Sequence, residues 1–232
     1  MLDEEAGRRA DALVVRHGVG LRTGRDVVEI AGDGRVERVR LDNGEWIGAE
    51  LVVVGKGIQP NVEWLQSSGV RIGRGIVVDR SGRTSLPGVF AAGDCAEVDD
   101  PLTGQSAVSG IWPIAYEMGR AAGRAAVGAD RPSPGALRMN SSRVFGTPVI
   151  AIGEVRAERV AGASEHVVAV SDGVYRKLVM RDDRLIGALL VGDVSGAGLF
   201  YRLYRDSLAL GGTHAQDVER RRPEWTARVA TT

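Results

Sequence analysis

The chain has 232 residues, of which 44% are apolar and 26% charged, a balance typical of a globular protein with one large or two small domains. Its 30 lysines and arginines balance 30 acidic residues, and this zero net charge argues against nucleic acid as the main partner. A single cysteine excludes an internal disulfide and a cysteine-rich metal site, and no run of about 18 apolar residues predicts a membrane span. The acidic start is unlike a secretory signal, so a cytoplasmic location is expected.

The first part of the chain predicts one helix followed by a small antiparallel meander. Asp3 can cap a helix that extends to Arg16, and acidic residues in its first turn favour the same start. The hairpin turns Asp33-Gly34 and Asn43-Gly44 then separate short β-patterned runs. The predicted strands are Val19 to Arg22, Val27 to Ala31, Val36 to Leu41 and Trp46 to Val54, the last of which ends in the hydrophobic run Leu51 to Val54.

A Gly-x-Gly pattern, Gly55 to Gly57, follows this hydrophobic run. The third glycine of a dinucleotide-binding loop is missing and Pro60 stands in its place, so the pattern is weak evidence for a phosphate loop. A plain turn between strand and helix is the alternative. Asn61 is predicted to cap a short helix, Val62 to Ser67.

The segment Thr84 to Asp94 combines a turn, a short strand and a Gly-Asp pair. Pro87-Gly88 predicts the turn, and the apolar strand Val89 to Ala92 then leads to Gly93 and Asp94. Gly93 lacks a Cβ, so a ligand or another backbone can approach it closely. A carboxylate just past the carboxyl end of a strand suits a sugar hydroxyl, because open α/β sheets bind ligands there. An ordinary strand with a Gly-Asp turn is the alternative.

A strand over Ile76 to Asp79 is predicted before this segment, and a polar loop, Glu97 to Ser109, after it. The next helix has Pro113 in its first turn and a small-residue face that predicts close packing, formed by Ala115, Gly119, Ala122 and Gly123. Cys95 is either a redox thiol or, as its lack of a second cysteine favours, a small buried residue. No acid–base, nucleophilic or metal-ligating constellation is visible.

The composition of residues 131–135 predicts a linker. The block beyond it predicts an antiparallel sheet with one solvent-facing side, because Lys177 and Arg181 alternate with apolar residues. Its strands are Val144 to Ile152, Val167 to Ser171, Val174 to Met180 and Leu185 to Val191, followed by a helix over Ala197 to Leu210. The sequence Val191-Gly192-Asp193 is interpreted as a strand-end turn. Residues 213–232 are predicted to form a loose tail.

The segment Thr84 to Asp94 resembles the second flavin-binding motif of the FAD-dependent reductases with two dinucleotide-binding domains. The resemblance implies that Asp94 binds the ribityl chain of FAD and that Gly93 allows its close approach. It also implies that the helix after the motif points its N-terminus at the flavin ring, with Ile111, Trp112, Pro113 and Glu117 near the cofactor. The alternative for Trp112 is a core aromatic residue.

The run Leu51 to Asn61 resembles the crossing from the NAD(P) domain back to the FAD domain in that family. Gly57 and Pro60 are then expected to line the junction of the two nucleotide-binding domains. The second block resembles the C-terminal domain of NADH–rubredoxin reductases and of the flavoprotein part of nitrite reductases. Three runs carry this resemblance: residues 145–154, Tyr175 to Val179, and Leu185 to Asp193.

Two departures from the family limit the resemblance. Neither the Gly-rich phosphate loop for FAD nor the one for NAD(P)H occurs in good form, and the chain is expected to begin inside the second nucleotide-binding domain. The expected fold class is α/β: a partial FAD/NAD(P)-binding Rossmann-like domain with a parallel sheet and an antiparallel meander, then a small α+β domain. The expected boundaries are residues 1–130, a linker at 131–135, and residues 136–212.

The resemblance implies that the intact parent is a FAD-dependent NAD(P)H oxidoreductase. Its electrons would pass through FAD to an acceptor such as rubredoxin, a ferredoxin or a nitrite reductase module. The alternative is a non-catalytic module that acts in assembly or interaction without bound flavin, and a third possibility is an electron-transfer domain that needs a separate N-terminal polypeptide. Self-association is also expected, because an unpaired apolar strand edge favours it.

Overall fold

A computed structural model describes residues 2–100, 102, 104–129 and 131–206. It divides the chain into two compact units, one made of residues 11–58 and the other of the residues on either side of them. Helix α1, Glu4–Arg16, begins in the second of these units and ends in the first. The predicted tail and the predicted last residues of the final helix lie outside the described residues.

The unit of residues 11–58 contains the predicted meander. Its strands β1 (Val27–Ala31), β2 (Arg38–Leu41) and β3 (Trp46–Gly48) form an antiparallel sheet in the order β1-β2-β3. Gly34 and Gly44 have positive φ values of 68° and 88°, which the two hairpin turns require.

Two strand predictions in this unit are wrong. Val19 to Arg22 is irregular, and β3 ends at Gly48, so Leu51 to Val54 is not a strand. Leu51, Val53 and Val54 are 78%, 82% and 75% exposed. A strand is held by backbone hydrogen bonds to a neighbour, and the described residues supply none to this run.

The other unit begins with a mixed three-stranded sheet in the order β4-β5-β6. Strand β4 (Ile76–Val77) pairs in parallel with β5 (Ala96–Asp99), and β5 pairs in antiparallel with β6 (Ser106–Val108). Helix α2, Trp112–Ala126, packs on this sheet through Ile114 and Met118. The short helix predicted after Asn61 is a 3-10 turn, Glu63–Leu65, without a side-chain cap.

Three further predictions in this part of the chain need correction. Val89 to Ala92 is not a strand; Phe90 makes an isolated bridge to Arg83. The predicted polar loop over Glu97 to Ser109 contains β6 and all but the first residue of β5. Val98 is buried there, while the carboxylate of Glu97 accepts hydrogen bonds from backbone N–H groups. The small-residue face of α2 is only partly buried: Gly119 and Gly123 are exposed, and the buried face is formed by Ile114, Met118, Ala121, Ala122 and Ala125.

The C-terminal part is a five-stranded antiparallel sheet in the order β7-β8-β11-β10-β9, covered on one side by helix α3, Ala197–Arg205. The strands are β7 Met139–Val144, β8 Thr147–Gly153, β9 Ser164–Ser171, β10 Val174–Arg181 and β11 Arg184–Val191. The single strand predicted over residues 144–152 is instead a hairpin, because Phe145 and Gly146 have positive φ values of 45° and 85° and reverse the chain.

The prediction of one solvent-facing side is wrong for the centre of this sheet. Phe200 and Leu203 of α3 cover one face, whereas Leu2 and Ala6 pack on the other. Lys177 is therefore only 2% exposed, although the alternation of residues around it predicted a solvent-facing side.

The segment predicted as a linker packs against its surroundings. Ser133 is buried and its N–H donates to the carbonyl of Arg80 (2.7 Å), while the N–H of Ala136 donates to the carbonyl of Asp99 (3.1 Å). The boundaries predicted at 131–135 remain a prediction. In the part of the chain that the structure describes, no helix combines the length and apolar character needed to cross a bilayer.

Candidate functional site

The Gly-Asp pair lies in a tight turn that leads into β5. Gly93 has a φ of 84°, and its carbonyl accepts a hydrogen bond from the N–H of Ala96 (3.0 Å). Asp94 thus lies at the amino end of a strand, which corrects the prediction that it follows the carboxyl end of one. Leu86 N–H donates to the hydroxyl of Thr84 (3.1 Å), so the threonine shapes the turn that precedes the site.

The first turn of α2 lies beside this Gly-Asp turn. A Cβ built on Gly93 would have the Cβ of Ala115 as its nearest neighbour, at 3.8 Å. Ile111 is the N-cap residue with an extended backbone, and Pro113 occupies the first turn as predicted. The structure therefore brings Gly93 close to the start of α2; the role of these residues in binding FAD remains a prediction.

The side chains at this position have different exposures. Ile111 packs against the core of the mixed sheet, whereas Trp112 is 84% exposed, which argues against the core alternative for this tryptophan. Pro113 and Glu117 are also exposed. The start of α2 therefore presents an aromatic ring and a proline outward, and its second turn presents a carboxylate.

Asp94 is exposed, and among the described residues its carboxylate has no hydrogen-bond or ion-pair partner. An acceptor group of this kind is available to a hydroxyl-bearing ligand. The first turn of α2 adds the positive end of the helix dipole. Its N–H groups are mostly engaged, because Pro113 has none and those of Ile114 and Ala115 donate to the carbonyl of Ile111 (3.0 and 3.1 Å). A positive-φ glycine, an unpartnered carboxylate and a helix N-terminus together fit the ribityl and ring side of FAD.

The other two predicted site residues, Gly57 and Pro60, lie on either side of the boundary in the sequence between the two units. Gly57 has a φ of 85°, and a Cβ added to it would have no atom within 4 Å. Pro60 is half-buried. Their place at a junction of two nucleotide-binding domains remains a prediction.

Cys95 is half-buried and packs against the core of the mixed sheet. Its thiol lies 3.5 Å from the carbonyl oxygen of Ala92. This environment agrees with a packing role. No group of three or more metal-ligating side chains occurs among the residues that the structure describes.

The sequence reasoning missed a polar cluster on the C-terminal sheet. The ammonium of Lys177 lies 2.6 Å from the carboxylate of Asp3 and 2.7 Å from that of Glu165. The hydroxyl of Tyr175 donates to Asp3 at 2.8 Å. The available signal was Lys177 within an apolar strand, but its partner near the start of the chain could not be identified from local pattern.

Two family models match this α/β chain. Residues 1–119 match the pyridine nucleotide-disulphide oxidoreductase family, and residues 139–207 match the C-terminal domain of rubredoxin NAD+ reductase. The first match covers half of the chain, so the chain belongs to the pyridine nucleotide-disulphide oxidoreductase family. The expected fold class is confirmed.

Similar proteins are oxidoreductases. A nitrite reductase [NAD(P)H] of Bacillus subtilis is 31% identical over 208 residues, which are 89% of this chain and 25% of that protein. A ferredoxin–NAD(P)+ reductase of a Sphingomonas species is 50% identical over 64 residues, 28% of this chain and 16% of that protein. The chain spans about a quarter of the length of the nitrite reductases and of the B. subtilis assimilatory nitrate reductase electron transfer subunit that it matches.

Solved structures show the same fold. The NAD-dependent persulfide reductase of A. fulgidus matches with a TM-score of 0.79 at 27% identity, over 90% of this chain and 42% of that one. Putidaredoxin reductase in its covalent complex with putidaredoxin matches with a TM-score of 0.82 at 21% identity, over 100% of this chain and 55% of that one.

Proposed function

We propose that the chain supplies the ribityl and ring-facing side of an FAD site in an NAD(P)H-dependent electron-transfer oxidoreductase. The observation that carries the proposal is the open Gly93-Asp94 turn beside the first turn of α2. The family membership and the names of the relatives support it. When bound, FAD supplies hydride and electron chemistry that none of the 20 side-chain types performs alone.

Each residue of the site has a distinct role in this proposal. Asp94 accepts a hydrogen bond from a ribityl hydroxyl, and Gly93 leaves room for the chain to approach. The N-terminus of α2 stabilises negative charge at the nearby ring edge, because the helix dipole is positive there. Trp112 and Pro113 cover that edge and exclude water from it.

The electron acceptor is proposed to be a small redox protein or a redox module of the same enzyme. The match of residues 139–207 to a rubredoxin reductase domain supports this choice, as does the ferredoxin–NAD(P)+ reductase relative. A nitrite reductase module is the form suggested by the B. subtilis relative.

The proposal is tested by the absorption spectrum of the 232-residue chain purified with added FAD. We expect flavin bands that survive desalting and bleach on addition of NADH. Asp94→Asn removes a charged acceptor and is expected to weaken FAD binding about tenfold. The matched control is Asp11→Asn, an exposed aspartate in α1, which is expected to leave the affinity unchanged.

A second candidate is an assembly module without bound flavin. It is favoured by the exposed apolar run Leu51 to Val54, whose backbone has no pairing partner among the described residues and is available to a strand from a partner chain. A colourless chain after desalting, with equal behaviour of Asp94→Asn and Asp11→Asn, would overturn the flavin proposal in favour of this one. Restoration of flavin binding by a separately expressed FAD-domain polypeptide would instead support a two-chain site.

A further inference from the structure

The loop between β5 and β6 packs against the C-terminal sheet. Leu102 of this loop is buried in the core that the sheet forms with α3. Its carbonyl accepts a hydrogen bond from the guanidinium of Arg181 in β10. The side-chain amide of Gln105 donates to the carbonyl of Arg159 at 3.1 Å. The loop therefore connects the mixed sheet, which carries the candidate flavin site, to the C-terminal sheet.

A buried carboxylate lies at the start of this loop. Asp100 follows the last residue of β5 and is 0% exposed. One of its oxygens, Oδ2, accepts from the hydroxyl of Tyr204 in α3 at 3.2 Å, and the other, Oδ1, accepts from the N–H of Leu102 at 2.9 Å. Burial of a carboxylate is unfavourable unless its oxygens accept hydrogen bonds. The fold therefore depends on these donors to keep Asp100 in its place.

Tyr204 is fixed in position and in protonation state. Its ring is fully buried, and a Cβ built on Gly153 would lie 2.8 Å from its Cε2 atom, so the glycine in β8 leaves the space that the ring occupies. Burial and the neighbouring Asp100 carboxylate raise the pKa of Tyr204. The hydroxyl therefore stays protonated at neutral pH and donates to Asp100.

The opposite end of β5 carries the Gly93-Asp94 turn. The N–H of Ala96, the first residue of β5, donates to the carbonyl of Gly93 and closes this turn. The neighbouring strands are short, since β4 has two residues and β6 has three. Asp94 and Asp100 are about 20 Å apart along an extended chain. A continuous strand with little lateral pairing transmits a displacement of one end to the other.

We propose that Asp100 and Tyr204 are positioning residues for the candidate flavin site. They fix the carboxyl end of β5 to α3, and through β5 they keep the Gly93-Asp94 turn in the conformation that receives the ribityl chain. The flavin part of this inference rests on the proposed function. The C-terminal sheet and α3 then contribute to FAD binding through Asp100, not through contact with the cofactor.

The test is the substitution Tyr204→Phe in the full chain, which removes the hydroxyl and keeps the ring. The first readout is amide hydrogen exchange without FAD, with the Ala96 amide measured relative to the Leu189 amide in β11, so that a general loss of stability cancels. We expect exchange at Ala96 to become about tenfold faster on this relative scale. The second readout is the dissociation constant for FAD, which we expect to rise about fivefold.

The matched control is Tyr175→Phe. It removes another buried tyrosine hydroxyl that donates to a carboxylate, that of Asp3 at 2.8 Å, on the opposite face of the same sheet and away from β5. It is expected to change both readouts by less than about twofold. Equal acceleration at Ala96 in the two variants, or acceleration in neither, overturns the proposal.

Leu102→Ala tests the same connection at a second point. It removes the apolar contact of the loop with the C-terminal core and keeps the Tyr204 hydroxyl. We expect it to accelerate exchange at Ala96 relative to Leu189 as Tyr204→Phe does. An unchanged relative exchange rate at Ala96 in Leu102→Ala contradicts a path through this loop.

The two readouts separate this proposal from the proposed function. Faster relative exchange at Ala96 with an unchanged FAD affinity shows a purely structural connection and overturns the positioning role alone. An unaltered chain that retains no FAD overturns the proposed function and the flavin part of this inference. In that case the exchange rates, which are measured without FAD, still decide whether Tyr204 fixes the Gly93-Asp94 turn through β5.

Discussion

Two Gly-Asp pairs in this chain look alike in sequence and differ in the space around them. At Gly93 a Cβ would meet nothing nearer than 3.8 Å, and Asp94 has no partner among the described residues. At Gly192 a Cβ would lie 1.8 Å from the carbonyl oxygen of Gly173, and Asp193 binds the guanidinium of Arg176 at 2.8 Å. The first pair has space for a ligand. The second pair is blocked by the Gly173 backbone and by Arg176, which supports the interpretation of Val191-Gly192-Asp193 as a strand-end turn.

This difference predicts unequal costs for alanine at two glycines with the same backbone conformation. Gly192 and Gly173 both have a φ of 78°, but a Cβ on Gly173 would meet no atom within 4 Å. Gly173→Ala should therefore reduce the free energy of unfolding by about 1 kcal/mol, the cost of a left-handed residue alone. Gly192→Ala should reduce it by about 3 kcal/mol or more, because the β9–β10 turn must also move. Urea unfolding of both variants measures this, and equal losses would contradict the steric argument.

At the level of elements, helix starts and hairpin turns set by local sequence were predicted better than segments whose state depends on distant contacts. The starts of α1 and α2 were recognised because their signals are local: the carboxylate of Asp3 accepts from the N–H of Ala6 at 2.9 Å, and Pro113 lies in the first turn of α2. The hairpin turns were recognised for the same reason. The Asn61 signal failed, because a 3-10 turn without a side-chain cap follows it. The candidate site residues around Asp94 were proposed through a family motif, and their role remains a prediction.

The errors have a common physical cause. Strand β5 has the composition of a loop because its acids hide the alternation of buried Ala96 and Val98. Lys177 lies in a sequence pattern typical of a solvent-facing side. It is buried because it pairs with Asp3, which lies near the start of the chain. Leu51 to Val54 has a strand's composition but lacks a pairing partner among the described residues. In each case a non-local contact decides the state of the segment, and single-sequence patterns do not contain it.

Helix α1 is fixed to the C-terminal sheet by a charged contact at its first residues. Burial alone would lower the pKa of Lys177, but the carboxylates of Asp3 and Glu165 outweigh burial and raise this pKa. Burial alone would likewise raise the pKa of Asp3, but hydrogen bonds from Lys177, the Ala6 N–H and Tyr175 lower this pKa below its ordinary value of 3.8. Both groups are therefore charged at neutral pH in the folded state.

The contact predicts a pH-dependent loss of stability for Asp3→Asn. Asparagine still caps a helix, so the substitution removes mainly the charge beside Lys177. We expect it to reduce the free energy of unfolding at pH 7 by about 2 kcal/mol, less than for a fully orphaned buried charge because Glu165 remains. The stabilisation by Asp3 is present above pH 3.8 and is lost as the pH falls through the lowered folded pKa. The gap between variant and unaltered chain should therefore close in acid.

Glu4→Gln is the matched control for this prediction. It removes the same charge from the same helix turn, but Glu4 is exposed. Its expected cost is about 0.5 kcal/mol, from the helix dipole alone. Urea unfolding of the three proteins at pH 7 and in acid measures the difference. Equal costs for the two variants at pH 7 would show that the contact of Asp3 with Lys177 adds nothing to stability.

At the scale of the whole molecule, the run Leu51 to Val54 is an exposed apolar segment whose backbone groups are unpaired among the described residues. Salt does not screen an apolar contact or a strand pairing of this kind. Association through the run should therefore persist at high ionic strength.

We predict that the chain associates with itself through this run. Leu51→Ser/Val53→Ser is expected to leave the chain monomeric at concentrations where the unaltered protein sediments faster as its concentration rises, since the two side chains point the same way in an extended chain. Val15→Ser/Val127→Ser removes two other exposed valines and is expected to leave the association intact. Sedimentation velocity at high salt measures all three proteins. A monomeric unaltered chain at every concentration would show that the run does not pair, and a loss of association in both double variants would assign it to general apolar exposure.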